Sequence, residues 1–207
     1  LRNYQPILFE KENELGGALR LAGKPPGKEK MTWFVDYQVR ELKRLNIDIR
    51  LNTSPTLADI RALNPHAVFW AAGAEHIVPP IKGVDHAHIS VASDILDEKV
   101  TLQDKDVVVI GSGMTGCETA EMLAAGGNRV TIVEMQKTVG NGIYPSIRFD
   151  MLQKLNKYQV KIMTEHSVNI IQDDTVTVTN LKAGTTNELI ADHIVLSVGV
   201  KPRVGFV

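Results

Sequence analysis

The chain has 207 residues, 43% of them hydrophobic and 23% charged, with a formal net charge of -1. This is the composition of an ordinary globular protein, long enough for one or two domains with real cores, and it gives no electrostatic reason to expect nucleic acid or an anionic membrane as a partner. No apolar run approaches the roughly 18 residues that span a bilayer, no signal-peptide pattern opens the chain, and the single cysteine, Cys117, excludes an internal disulfide, so a cytoplasmic setting is expected.

From the N-terminus, Ile7-Leu8-Phe9 reads as a short strand ending on Glu10-Lys11. Gly16-Gly17 breaks the chain, and Lys24-Pro25-Pro26-Gly27-Lys28 reads as a polar loop. Val35, Val39, Leu42 and Leu45 share one face of a predicted helix from about Thr32, which can cap it. Ile47, Ile49 and Leu51 alternate as a strand. Thr56 to Asp59 has the form of a capping box at the head of a short helix. The run from Ala67 to Ala74 then reads as a buried strand entering a glycine turn at Gly73, and Val78 to Gly83 as a crossover.

A second α/β segment begins near Gln103. Asp106-Val107-Val108-Val109-Ile110 is a buried-strand signature, followed by Gly111-Ser112-Gly113-Met114-Thr115-Gly116. A helix-forming stretch from Cys117 to Ala125, a Gly126-Gly127 break and the strand Val130 to Val133 come next, ending on Glu134. Strand, glycine turn, helix, strand and terminal acid in this order form the dinucleotide-binding βαβ pattern, with the acid about 20 residues on. Gly111 allows the tight turn, Gly113 lets a pyrophosphate approach the backbone, and Gly116 lets the helix lie close to the sheet. The amides opening that helix, at Met114 and Thr115, and its positive dipole end face the phosphates. Glu134 is placed to accept hydrogen bonds from the ribose hydroxyls, which predicts NADH over NADPH. A methyltransferase loop would put an acid just before the first glycine, where Ile110 stands.

Beyond Glu134, a loop at Val139 to Gly142 leads to a predicted helix from Pro145 to Asn156, then a strand from Val160 to Met163. Ser167 to Ile171, Thr175 to Thr179 and Thr186 to Ile190 read as a meander. The last strand, His193 to Val198, runs into Gly199 and echoes Ala67 to Gly73, which suggests duplicated nucleotide-binding folds and assigns Gly199 to the second nucleotide. No Cys-x-x-Cys pair is present for dithiol chemistry. His86 and His88 read as a polar loop, not as a metal pair, because no third ligand is suitably spaced. Cys117 reads as a small packing residue, and no catalytic acid or base is assigned.

Leu8-Phe9-Glu10-Lys11, Glu14-Leu15-Gly16-Gly17, Pro26-Gly27-Lys28, Ala71-Ala72-Gly73 and Gly116-Cys117-Glu118-Thr119-Ala120 resemble the two-dinucleotide-fold flavoproteins. They look most like the NADH:flavin oxidoreductases of the 2,4-dienoyl-CoA reductase, enoate reductase and trimethylamine dehydrogenase type. The resemblance implies an α/β, Rossmann-like fold with two dinucleotide-binding domains. A partial FAD-binding domain is expected over residues 1–102 and an NAD(P)-binding domain over residues 103–207. It implies that Glu10 binds the adenosine ribose of FAD, that Gly17 lies near the flavin side, that Lys28 matches a lysine used at FAD, and that Gly73 lies beside the nucleotide. It also implies an FMN-bearing TIM barrel and an iron–sulfur cluster on upstream domains, absent here together with the first FAD strand and its glycine turn. The chain is therefore expected to be a piece of a longer enzyme, with NADH and the missing flavin and barrel domains as partners and no nucleic acid or membrane. Alone it is expected to be inactive. The alternative is a non-catalytic NAD- or ADP-binding module.

Overall fold

The computed structural model describes residues 4–205. The chain divides into two compact units, one of residues up to Glu75 together with those from Pro202 onward, the other from His76 to Lys201.

Unit 1 opens with β1 (Ile7–Phe9), followed by α1 (Ala18–Ala22), α2 (Lys30–Arg44), β2 (Asp48–Arg50) and α3 (Leu57–Ala62). β1 and β2 pair in parallel, Leu8 opposite Ile49. Val35 is the buried residue of α2, while Leu45, on the same predicted face, is exposed. α2 begins at Lys30, so Thr32 is no cap; its hydroxyl instead donates to the carbonyl of Glu29, 2.6 Å away. The capping box of α3 forms: Thr56 Oγ1 accepts from the Asp59 amide at 3.2 Å, and Asp59 Oδ2 accepts from the Thr56 amide at 2.8 Å.

The predicted buried strand at Ala67–Ala74 is corrected by the structure. Residues 67–73 have no regular structure and are exposed, and the strand there, β3, spans only Ala74–His76. An extended apolar run becomes a strand only where a neighbour takes up its amides and carbonyls, and residues 67–73 have no strand neighbour among the described residues.

Unit 2 continues with β4 (Ile89–Val91), α4 (Ala92–Leu96), β5 (Asp106–Ile110), α5 (Met114–Ala125), β6 (Arg129–Glu134), α6 (Pro145–Lys157) and β7 (Lys161–Thr164). The meander follows as β8 (His166–Ile171), β9 (Thr175–Asn180) and β10 (Thr186–Ile190), then β11 (His193–Leu196); the last strand, β12 (Val200–Pro202), carries the chain across the boundary back into unit 1. The main sheet is parallel, in the order β4-β11-β5-β6-β7. Alternation along β5 builds a core on each side of it. Val107 and Val109 meet Cys117, Ala120 and Leu123 of α5 and Met151 and Leu155 of α6. Val108 and Ile110 meet Val176 and Val178 of the antiparallel β10-β9-β8 sheet. Unit 2 is thus helices, parallel sheet and antiparallel sheet in three layers. β4 and α4 belong to it, with Ala92 and Ile95 in its core.

Candidate functional site

β5, β6 and β11 run parallel, so Gly111, Glu134 and Gly199 all stand at or just beyond the C-terminal ends of strands, on one edge of the sheet. From β5 the chain builds β6 and β7 to one side and returns as β11 on the other. Strand order therefore reverses at β5, and a crevice at such a switch point is where open α/β sheets take ligands.

The three glycines of the turn do different things. Gly111 has φ +100°, and a Cβ there would run into the carbonyl oxygen of Ser197. Its amide donates to the Val133 carbonyl at 2.9 Å, which ties the turn to β6. At Gly116, inside α5, a Cβ would run into the carbonyl oxygen of Gly111. Around Gly113, the N-cap of α5, a Cβ would meet nothing within 4 Å. Close approach of backbone to backbone thus accounts for the outer two glycines, and the middle one faces open space. Met114 and Thr115 form the first turn of α5, where helix amides and dipole favour an anion.

Glu134 ends β6 and reaches back to the turn. Its Oε2 accepts from the Ser112 amide at 2.9 Å and the Ser112 hydroxyl at 2.6 Å. Its Oε1 accepts from the Gln136 amide at 2.8 Å. Ser112 as this anchor was missed in the sequence, although a serine between the first two glycines and an acid at the next strand end together carry the signal. Gly199, φ +107°, accepts from the Ile77 amide at 3.1 Å.

The remaining predicted residues lie on separate connections of unit 1. Glu10 follows β1, half-buried, and its Oε1 accepts from the Glu12 amide at 3.0 Å. Gly17 caps α1 with φ 44°, Lys28 lies in the turn before α2, and Gly73, φ +76°, accepts from the Arg203 amide at 3.0 Å. Added Cβ atoms at Gly17 and Gly73 would meet nothing within 4 Å.

Cys117 lies in the core, its Sγ 3.3 Å from the Ser112 carbonyl. Burial first, then Glu118 and Glu134, pushes its thiol up to about 12, so it is no nucleophile. His86 and His88 lie in turns before β4, and His86 Nδ1 is 3.2 Å from Asp173. No group of three His, Cys, Asp or Glu side chains suited to a metal occurs among the described residues. None of their helices is long and apolar enough to cross a membrane.

A glycine turn between parallel strands, an open ledge at the helix start and a pinned carboxylate at the next strand end define a Rossmann-type dinucleotide-binding domain. The chain belongs to the pyridine nucleotide-disulphide oxidoreductase family, whose pattern matches residues 44–206. This is a family of flavin-dependent NAD(P)H oxidoreductases. The chain is 39% identical over 204 residues to an NADH oxidase of Thermoanaerobacter brockii, covering 97% of this chain and 31% of that protein. It is 36% identical over 204 residues to a bilirubin reductase of Mediterraneibacter gnavus, covering 99% of this chain and 31% of that protein. A solved 2-naphthoyl-CoA reductase complex superposes with a TM-score of 0.90 at 29% identity, over 96% of this chain and 30% of that one. That neighbour is of the enoate and dienoyl-CoA reductase type that the motifs resemble. The chain spans about a third of the length of these relatives.

Proposed function

We propose that this chain is the pyridine-nucleotide part of a flavin-dependent oxidoreductase and that unit 2 positions NADH for hydride transfer to FAD. The observation that carries the reading is the open space over Gly113 between two glycines that backbone contact explains. A glycine needed by no protein neighbour, at a helix N-terminus, fits a pyrophosphate laid against bare backbone. Gly111, Gly113, Met114, Thr115 and Gly116 form that cradle, Glu134 Oε1 receives the adenosine ribose, and Gly199 borders the same sheet edge. NADH held there would supply a hydride, and FAD would be its acceptor. The residues here bind and orient; no proton need move through a side chain, so positioning carries the catalysis.

In unit 1, Glu10 receives the adenosine ribose of FAD, with Gly17, Lys28 and Gly73 along the cofactor. The reading assigns the rest of the FAD site, an FMN barrel, an iron–sulfur cluster and the choice of substrate to parts of the parent enzyme other than this chain. Calorimetric titration of the chain with NADH tests the nucleotide reading, and no detectable binding sinks it. Loss of flavin absorption on adding NADH to the full-length protein separates the enzyme from a module that only binds NAD or ADP.

A further inference from the structure

We propose that Ser112 is the positioning residue that holds Glu134 in its ribose-reading pose, and that this hold, rather than the carboxylate alone, sets the preference for NADH over NADPH. The proposal rests on the nucleotide site of unit 2 described above.

Ser112 is 2% exposed. Its amide and its hydroxyl both donate to one oxygen of Glu134, Oε2, at 2.9 and 2.6 Å. A hydroxyl has a single proton to donate, and this one is committed to Glu134. Ser112 is itself held from two other elements. Its carbonyl accepts from the Gly140 amide of the loop after β6 at 2.9 Å, and the Cys117 thiol of α5 lies 3.3 Å from it. The Gln136 amide fixes Oε1 from the far side at 2.8 Å. Two donors therefore occupy Oε2, while Oε1, with one protein donor, keeps a lone pair for a ligand.

A glutamate on flexible bonds that met a 2′-phosphate would rotate away and admit the dianion. One pinned by three donors has nowhere to go, and the phosphate meets a fixed negative charge. Selectivity of this kind needs a rigid repulsive element as well as an attractive one. The hydroxyl supplies that rigidity, and the amide alone leaves the carboxylate one strong hydrogen bond looser.

The test is the ratio of NADH to NADPH affinity, measured by calorimetry on the full chain and on Ser112→Ala, Glu134→Ala and the double variant. A merely structural defect weakens both nucleotides together and leaves the ratio in place. In Ser112→Ala we expect NADH to weaken and NADPH to hold or tighten, lowering the ratio about tenfold, the scale of one charge-assisted hydrogen bond. In the Glu134→Ala background the same substitution should leave the ratio unmoved, because Ser112 acts through Glu134. If Ser112→Ala does not fold, Ser112→Cys, which keeps a donor in the same place but a weaker one on a larger atom, must lower the ratio. A ratio unchanged in a folded Ser112 variant, while the parent chain discriminates, overturns the proposal and spares the nucleotide site. A parent chain that binds both equally overturns it as well. A parent chain that binds neither nucleotide overturns the nucleotide site and this proposal together.

Discussion

Gly116 of α5 lies against the carbonyl of Gly111 at the end of β5, so closely that a Cβ on residue 116 would overlap that oxygen. Helix and strand meet there with no side chain between them. Alanine is the better helix former by about 1 kcal/mol, so an exposed glycine at this point of α5 would gain from the change. Here the obstacle is backbone, which cannot swing aside, and overpacking of about 1–3 kcal/mol outweighs the propensity gain. Gly116→Ala is expected to lower the denaturation midpoint. A midpoint equal to or above that of the parent would show that the close approach is not strained by a methyl group.

Gly113→Ala should behave in the opposite way. Its Cβ would point into open space from a residue at φ -62°, ψ 175°, which alanine adopts freely. Stability should change by less than about 1 kcal/mol, the scale of an N-cap substitution. NADH affinity should fall about tenfold or more, 1.4 kcal/mol per decade. Melting curves and calorimetry on the same preparation check both halves, and unchanged affinity with a large loss of stability would make Gly113 structural.

The legible and illegible parts of this fold divide by range. The turn from Gly111 to Gly116 could be read because its chemistry is local, and Val107 to Ile110 because their alternation faces two real cores. The capping box of Thr56 and Asp59 closes within one helical turn. Residues 67–73 misled, because their apolar character says they seek cover and not whether a neighbouring strand is at hand. Thr32 misled by one turn, since Glu29 and Thr32 compete for the head of α2 and only the start at Lys30 decides between them. The hold of Ser112 on Glu134 spans 22 residues and depends on β5 and β6 being neighbours. The limit of unit 2 depends in the same way on β4 pairing with β11.

Cys117 should resist thiol reagents in the folded chain. It is fully buried, its thiol is pushed up to about 12, and its Sγ lies 3.3 Å from the Ser112 carbonyl. Only the thiolate attacks such reagents. Labelling with a chromogenic disulfide is expected to be negligible in buffer and to reach one equivalent in denaturant. Prompt labelling of native protein would place the thiol outside the core.

His193 should make unit 2 acid-sensitive. Its Nε2 is 2.9 Å from Ser90 Oγ, and burial, then the nearby His88, lowers its pKa from the usual 6.5. As pH falls, the unfolded chain takes up this proton before the folded one does. Stability is therefore full above about pH 6.5 and is lost as pH drops through the folded-state value. Glu121 acts with the opposite sign, because burial raises its pKa above 4.5 and the folded chain takes up that proton first. A comparison with His193→Asn isolates the histidine. The urea midpoint of the parent should fall more than that of the variant between about pH 7.5 and 5.5. Parallel midpoints would remove His193 from the account.

Limited proteolysis should cut unit 1 first, within residues 67–73. Phe69 is 93% exposed, Val68 51% and Trp70 43%, on backbone without strand or helix. Trp33, Phe34 and Tyr37 are exposed too, but on α2, where a protease must unwind the helix before it can bind an extended segment. In unit 2, Val109 and Ile132 are 0% exposed on strands with a neighbour on each side, and cutting there requires opening the whole sheet. Chymotrypsin is therefore expected to cleave first after Phe69 and to leave a resistant fragment that begins at Trp70. N-terminal sequencing of that fragment checks the site. Added NADH should slow any later cuts inside unit 2 and leave the rate at Phe69 unchanged, because only unit 2 is assigned to that nucleotide. First cuts within β5, α5 or β6, or equal protection of Phe69 by NADH, would contradict the division at Glu75 and the assignment of the nucleotide to unit 2.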